Sequence, residues 1–200
     1  MNFPSKLKSQ IYNSIVPIVC GSERGTAFFI SPDTLLTARH IIVDYIESNH
    51  AEEIIIETGK TILCTPIFLA EEGDNIDIIL LKSLEYTSSS YLNLLSTSFT
   101  EESVYSIIGY PREFGYSSNL ICFDVCNRLK VENQDCDITA IRLDPLPFNT
   151  YKGFSGSPVV NEKGSVVGVA LKQQNQGIGY LSIQKLSNLL EQHEIKVKKD

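Results

Sequence analysis

A chain of 200 residues that is 42% apolar and 20% charged can bury a substantial core and is too apolar to remain disordered. Its 24 acidic against 17 basic side chains give a net charge of −7, which argues against a nucleic-acid-binding surface. Met1 to Lys8 hold no apolar core of a secretory signal and no run approaches a membrane span, so a soluble protein without a membrane partner is expected.

Short runs rich in β-branched and aromatic residues are separated by Gly, Pro, Asn and Asp clusters at intervals of about ten residues, the pattern of an all-β antiparallel barrel or sandwich. After an N-terminal extension over 1–14, strands are predicted at Ile15–Cys20, Thr26–Ile30, Thr34–Thr37, Glu53–Thr58, Ile62–Phe68 and Asp77–Leu81. They would make a first barrel over about 15–82, with a short helical turn within Ala38–Glu47. The Ser- and Thr-rich stretch 83–100 reads as a linker. A second barrel over 101–182 takes strands at Ser103–Gly109, Asn119–Asp124, Asn127–Glu132, Asp137–Leu143, Ser157–Asn161, Ser165–Lys172 and Gly179–Ile183. Ile183, Leu186, Leu189 and Leu190 form a helical stripe over 182–193 that should pack outside that barrel. Residues 194–200, with Lys196, Lys198 and Lys199, read as a solvated basic tail.

Three segments carry chemistry. Gly153-Phe154-Ser155-Gly156-Ser157-Pro158 sets a serine hydroxyl between glycines in a turn that leads into Val159-Val160. A nucleophilic oxygen must project from such a turn, where backbone N–H groups can receive the developing oxyanion. Upstream, Gly25-Thr26-Ala27-Phe28-Phe29-Ile30-Ser31-Pro32-Asp33-Thr34-Leu35-Leu36-Thr37-Ala38-Arg39-His40 ends on a histidine, and Asn75-Ile76-Asp77-Ile78-Ile79-Leu80-Leu81-Lys82 sets an aspartate in an apolar run. An α/β-hydrolase elbow is excluded, because Ser157 stands where that motif needs its second glycine and the acid there follows the serine.

These segments resemble those around the catalytic residues of chymotrypsin-fold serine endopeptidases, above all the HtrA-like and bacterial trypsin-like members. Val104-Tyr105-Ser106-Ile107-Ile108-Gly109-Tyr110-Pro111 resembles the strand and turn that open their second barrel. The resemblance runs from about Ile15 to Ser182 and implies two antiparallel six-stranded β-barrels of the chymotrypsin type with a C-terminal helix. It implies Ser155 as nucleophile, His40 as its base, and Asp77 as the carboxylate that fixes the imidazole tautomer and stabilises the imidazolium. The N–H groups of Gly153 and Ser155 would form the oxyanion hole. Asp44 and Asp74 are rivals for the acid; Asp77 is preferred because its apolar neighbours make a buried carboxylate costly without a partner. Ser157 is the rival nucleophile, at a place where the motif needs only a small residue. His50 and His193 lack any such context and read as surface residues.

Departures from the secreted pattern bear on control and specificity. Zymogen-type relatives carry an Asp before the serine that pairs with a newly cut N-terminal amine; this chain has Phe154 there, and Ile15-Val16-Pro17-Ile18 lacks their Gly-Gly. Control would then fall on the segment Asp144–Gly153. In the primary substrate pocket, Asn149 stands where enzymes that cut after Lys or Arg carry an acid, and Lys172 adds positive charge if it points inward rather than to solvent. Five cysteines, Cys20, Cys64, Cys122, Cys126 and Cys136, cannot all pair internally, and Ile41 replaces the cysteine that secreted relatives usually carry after the histidine. A reducing cytoplasm is expected. Cys122, Cys126 and Cys136 match no zinc spacing, so no metal or other cofactor is expected. The reading is a cytoplasmic serine endopeptidase acting on protein or peptide substrates through an acyl-enzyme, with a regulatory partner protein or fused domain. By analogy with modules encoded beside antiviral defence proteins, it would be an effector or processing protease. The alternatives are a catalytically inactive protease fold used as a binding module, and an acyl-transfer or esterase role.

Overall fold

A computed structural model of the chain describes residues 3–68, 76–98, 103–111, 120–128, 136–142, 151–174 and 177–200. Strands β1 (Ile15–Cys20), β2 (Glu23–Phe29), β3 (Thr34–Thr37), β4 (Ile54–Glu57), β5 (Thr61–Phe68) and β6 (Ile79–Ser83) close into a barrel in the order β1-β2-β3-β6-β5-β4. The second half is an eight-stranded sheet. It comprises β7 (Leu94–Ser96), β8 (Val104–Gly109), β9 (Ile121–Arg128), β10 (Ile138–Arg142), β11 (Pro158–Val160), β12 (Val166–Gln174), β13 (Gly177–Ser182) and β14 (Val197–Lys199). Their order is β11-β8-β9-β10-β13-β12-β7-β14, with a further pairing of β11 to β12. Helices α1 (Ser5–Asn13), α2 (Val43–Glu47) and α3 (Ile183–Gln192) complete the elements.

Only a few strands, such as β4, alternate in burial; β1, β3, β8 and β13 are buried almost throughout, and β2 is buried continuously from Gly25 to Phe29 because it faces both the barrel interior and the second sheet. Thr26 on this strand is wholly buried, as are Phe28 and Phe29. Helix α3 begins where expected: the Ser182 hydroxyl accepts the Lys185 N–H at 3.1 Å as its N-cap, and the helix buries Ile183, Leu186 and Leu190. Asp137 steadies this start by accepting the Ser182 N–H at 2.7 Å and the Ser182 hydroxyl.

Several expectations change. The second unit carries eight strands rather than six, because β7 and β14 extend the sheet beyond β12. The stretch 83–100 is therefore more than a linker, and 194–200 more than a solvated tail: Val197 pairs in parallel with Leu94, and the Lys199 ammonium reaches Glu191 at 2.9 Å. The strands predicted at Asn119–Asp124 and Asn127–Glu132 are one strand within the described residues, since Val125 and Cys126 continue the ladder against Tyr105 and Val104. Residues 129–135 and 143–150 lie outside the described residues. Asp77 precedes β6 instead of opening it. The N-terminal extension contains α1, whose first residues carry no N-cap side chain and whose stability comes from packing.

That packing ties the two halves together. Phe3 and Ile11 belong to the core, and Leu7 lies against Gly164 in the turn between β11 and β12. A Cβ on Gly164, which has φ +75°, would stand 2.7 Å from Leu7 Cδ1, so only glycine lets the helix approach so closely. At the far end Tyr12 meets the Cys122 thiol of β9; burial, then that neighbour, pushes the Tyr12 hydroxyl's pKa up. Ile11→Ala should therefore lower unfolding stability by about 2–5 kcal/mol in urea titration, the usual cost of emptying a buried aliphatic site. A loss below 0.5 kcal/mol would mean that α1 is a loose appendage.

Candidate active site

Strand β3 delivers His40. Its four residues are all buried, and the chain leaves it through Ala38 in extended conformation into a 3₁₀ turn over Arg39–Ile42. Ile41 and Ile42 are fully buried, which anchors the turn and leaves the side chain of His40 outside. Asp77 meets it from the residues before β6. One carboxylate oxygen, Oδ1, accepts the His40 backbone N–H at 2.9 Å, while Oδ2 lies 2.6 Å from Nδ1. The Asp77 carbonyl accepts the Arg39 N–H at 3.2 Å, so the two segments are joined by main chain as well. Two-point contact with the carboxylate places the Nδ1 proton toward Asp77 and leaves Nε2 as the ring's basic nitrogen. The pair is accessible, with 43% of the histidine side chain and 27% of the aspartate exposed; its value lies in orientation rather than in ion-pair stability.

Ser155 sits on a turn made by two glycines with left-handed backbone, Gly153 at φ +95° and Gly156 at φ +82°. Between them Phe154 is fully buried and packs edge-on against Phe123, with ring centroids 5.1 Å apart. Burying Phe154 inward turns its neighbour Ser155 toward the surface. The Ser155 hydroxyl donates to the Leu171 carbonyl of β12 at 2.9 Å. The N–H groups of Phe154, Gly156 and Ser157 donate to the carbonyls of Tyr151, Ala170 and Phe154 at 3.0, 2.7 and 2.9 Å. Among the described residues, those of Gly153 and Ser155 have no such acceptor.

Thr26 joins this turn to the first barrel. Its hydroxyl donates to the Gly153 carbonyl at 2.8 Å and accepts the Tyr110 N–H at 3.0 Å. Its own N–H donates to the Ser155 carbonyl at 2.9 Å, and its carbonyl accepts the Thr37 hydroxyl at 2.7 Å. A Cβ on Gly156 would stand 2.1 Å from the Thr26 carbonyl oxygen.

The structure therefore brings His40 and Asp77 together, and links Gly153 and Ser155 to Thr26 of β2, which in turn is bonded to Thr37 at the end of β3. Asp44 accepts the Ser22 N–H and hydroxyl at 2.7 and 3.0 Å at the turn between β1 and β2. Ser157 is wholly buried, with no hydrogen-bond partner for its hydroxyl among the described residues. His50 stacks on Tyr45 with centroids 4.5 Å apart, and His193 is the C-cap of α3. Asp74 and Asn149 lie outside the described residues, and Lys172 is described only as a β12 backbone position paired with Gly179. Among the described residues no group of three or more His, Cys, Asp and Glu side chains is assembled that could hold a metal ion. Nor is any helix among them long and apolar enough to cross a membrane. Sequence reasoning missed Thr26 and the Leu171 carbonyl. For the first the sequence showed only a polar residue leading the apolar run Ala27-Phe28-Phe29-Ile30, with no hint of its partners; for the second, a main-chain atom, it showed nothing.

The model of one family, described as the trypsin-like peptidase domain, matches residues 25–169. No curated protein sequence matches significantly. Among solved structures, the chain is similar to the active form of the Rv3671c protease from M. tuberculosis. The TM-score is 0.70 and the identity 18%, over 96% of this chain and 86% of the other. It is similar to Deg5 with TM-score 0.70 and 14% identity, over 92% and 90% of the two chains. It is also similar to a serine endoprotease from Yersinia pestis, with TM-score 0.68 and 17% identity, over 97% and 68%.

Gly156→Ala should disrupt the turn, because the methyl group would meet the Thr26 carbonyl in a backbone conformation that alanine rarely adopts. The expected loss is at least about 1–3 kcal/mol in denaturant titration. Unchanged stability would show that the turn can relax away from Thr26.

Proposed function

The chain belongs to the trypsin-like peptidase domain family, the serine endopeptidases of this fold, and from that premise we propose that it cleaves protein or peptide substrates with Ser155, His40 and Asp77. The observation that carries the assignment of residues is the double contact of the Asp77 carboxylate with the His40 N–H and Nδ1. It presets the imidazole tautomer that a general base needs.

In this reading the Ser155 hydroxyl leaves the Leu171 carbonyl, turns about its Cα–Cβ bond toward His40 Nε2 and attacks the scissile carbonyl as its proton passes to that nitrogen. Asp77 stabilises the imidazolium across Nδ1. The oxyanion is received by the N–H groups of Gly153 and Ser155, the two in the turn that have no other acceptor among the described residues. Collapse expels the amine, which takes the proton from Nε2. Water, activated by the same imidazole, then hydrolyses the acyl-enzyme. Phe154, buried against Phe123, offers no partner to a liberated N-terminal amine, which supports control by other means.

The proposed setting is a reducing cytoplasm, as for processing proteases encoded beside defence proteins. All five cysteines are thiols, which supports it. Burial pushes the Cys64 thiol up to about 12, so it stays protonated and inert. Alkylation in denaturant without reductant should modify all five cysteines, whereas native protein at pH 8 should leave Cys64 untouched; a disulfide in protein from the source cell would contradict the compartment.

Ser155→Ala should abolish labelling by a fluorophosphonate and lower turnover about a million-fold. Asp77→Asn should cost about ten-thousand-fold at neutral pH with the fold intact, by holding the wrong imidazole tautomer. Labelling that survives Ser155→Ala, or that is lost in a folded Ser157→Ala, would overturn the nucleophile. A larger effect of Asp74→Asn would overturn the acid.

A further inference from the structure

We infer that Thr26 is a positioning residue for the hydrolytic reaction, holding in place the two residues whose N–H groups receive the oxyanion; this rests on the roles proposed above for Gly153 and Ser155. Each of those residues has its own carbonyl tied to Thr26, Gly153 through the threonine hydroxyl at 2.8 Å and Ser155 through the threonine N–H at 2.9 Å. Tethering a carbonyl fixes the peptide plane that follows the residue and removes its freedom to flip. The need is greatest at Gly153, whose φ of +95° belongs to a residue with little steric restraint of its own.

The hydroxyl itself is held from a third side. It accepts the Tyr110 N–H at 3.0 Å while donating to Gly153, and only a group that is donor and acceptor at once can serve both. The residue is wholly buried, so water cannot replace either bond. The β-branch restricts its rotamers, which keeps the hydroxyl aimed. The Thr26 carbonyl, through the Thr37 hydroxyl, reaches the last residue of β3, three positions before His40. One residue of the first barrel thus sets the oxyanion-binding turn of the second half relative to the strand that delivers the histidine, its hydroxyl holding Gly153 and its main chain Ser155 and Thr37. Thr26 is wholly buried and does not itself reach the substrate, so its effect must show in the rate of bond formation and not in ground-state affinity.

The test uses the full chain and saturation kinetics of fluorophosphonate labelling, whose tetrahedral phosphorus places an oxygen in the same N–H site. Labelling of the wild type and its absence in Ser155→Ala establish the underlying reading; an unlabelled wild type, or a labelled Ser155→Ala, overturns that reading and is told apart from failure of the present one. Thr26→Val, equal in shape but without the hydroxyl, should lower the maximal inactivation rate about 100-fold, the usual effect of losing one oxyanion donor, with the apparent binding constant of the probe unchanged. Thr26→Ser, which restores donor and acceptor, should label near the wild-type rate. Wild-type labelling by Thr26→Val, a loss confined to probe binding, or a folded Thr26→Ser as slow as Thr26→Val would each overturn the inference. Where circular dichroism shows Thr26→Val unfolded, Thr26→Cys decides: its weakly bonding thiol should give an intermediate rate, and a wild-type rate in the folded variant overturns the positioning role.

Discussion

The structure depends on a threonine that belongs to one half of the molecule and is hydrogen-bonded mostly to the other. Thr26 engages its N–H, its carbonyl and both functions of its hydroxyl, four bonds that reach Ser155, Thr37, Gly153 and Tyr110. A buried polar group left unmatched costs about 1–3 kcal/mol, so such a cluster is favourable only as a complete set. Completeness requires the two β units to meet in one relative position. The hydrophobic contact between them could tolerate a small slide; the hydrogen bonds cannot.

Presentation of the site follows from burial of its neighbours. His40 faces outward because Ile41 and Ile42 face inward, and Ser155 does so because Phe154 is sealed against Phe123. In both cases an exposed polar side chain is oriented by adjacent apolar ones that have nowhere else to go, so its placement is as rigid as the core. Close approach does the rest: Gly25, Gly109 and Gly156 each lie where a methyl group would overlap Ser155, Ser157 or Thr26. The glycines of the serine turn and its surroundings are there as much for proximity as for conformation.

Much of this was legible in the chain. Apolar runs between turn residues announce an all-β chain, and the segments that end on His40, enclose Asp77 and flank Ser155 carry the resemblance that implies the barrel. What was not legible depended on partners remote in sequence. Leu94-Leu95-Ser96 is too short and too serine-rich a neighbourhood to announce a strand, and becomes one because β12 and Val197–Lys199 flank it. The same holds for Val197-Lys198-Lys199, whose charges suggest solvent until Glu191 and β7 supply partners. The role of Thr26 was hidden for a related reason: its strand is predicted from residues beside it, whereas three of its four hydrogen bonds run to the second half. Ser155 was placed on a turn correctly, yet the acceptor of its hydroxyl is a backbone carbonyl, which has no signature in a residue pattern.

The docking of α1 has a consequence for the order of assembly. Phe3, Leu7 and Ile11 leave the ribosome well before the turn around Gly164 that receives them. An isolated helix of nine residues is marginal in water, so the segment must wait in a largely unstructured state with its apolar residues uncovered. Contacts of such wide sequence separation close slowly and leave intermediates prone to association. The helix, made before its seat, is thus among the last elements to settle, and a chain interrupted before Gly164 leaves it with no seat.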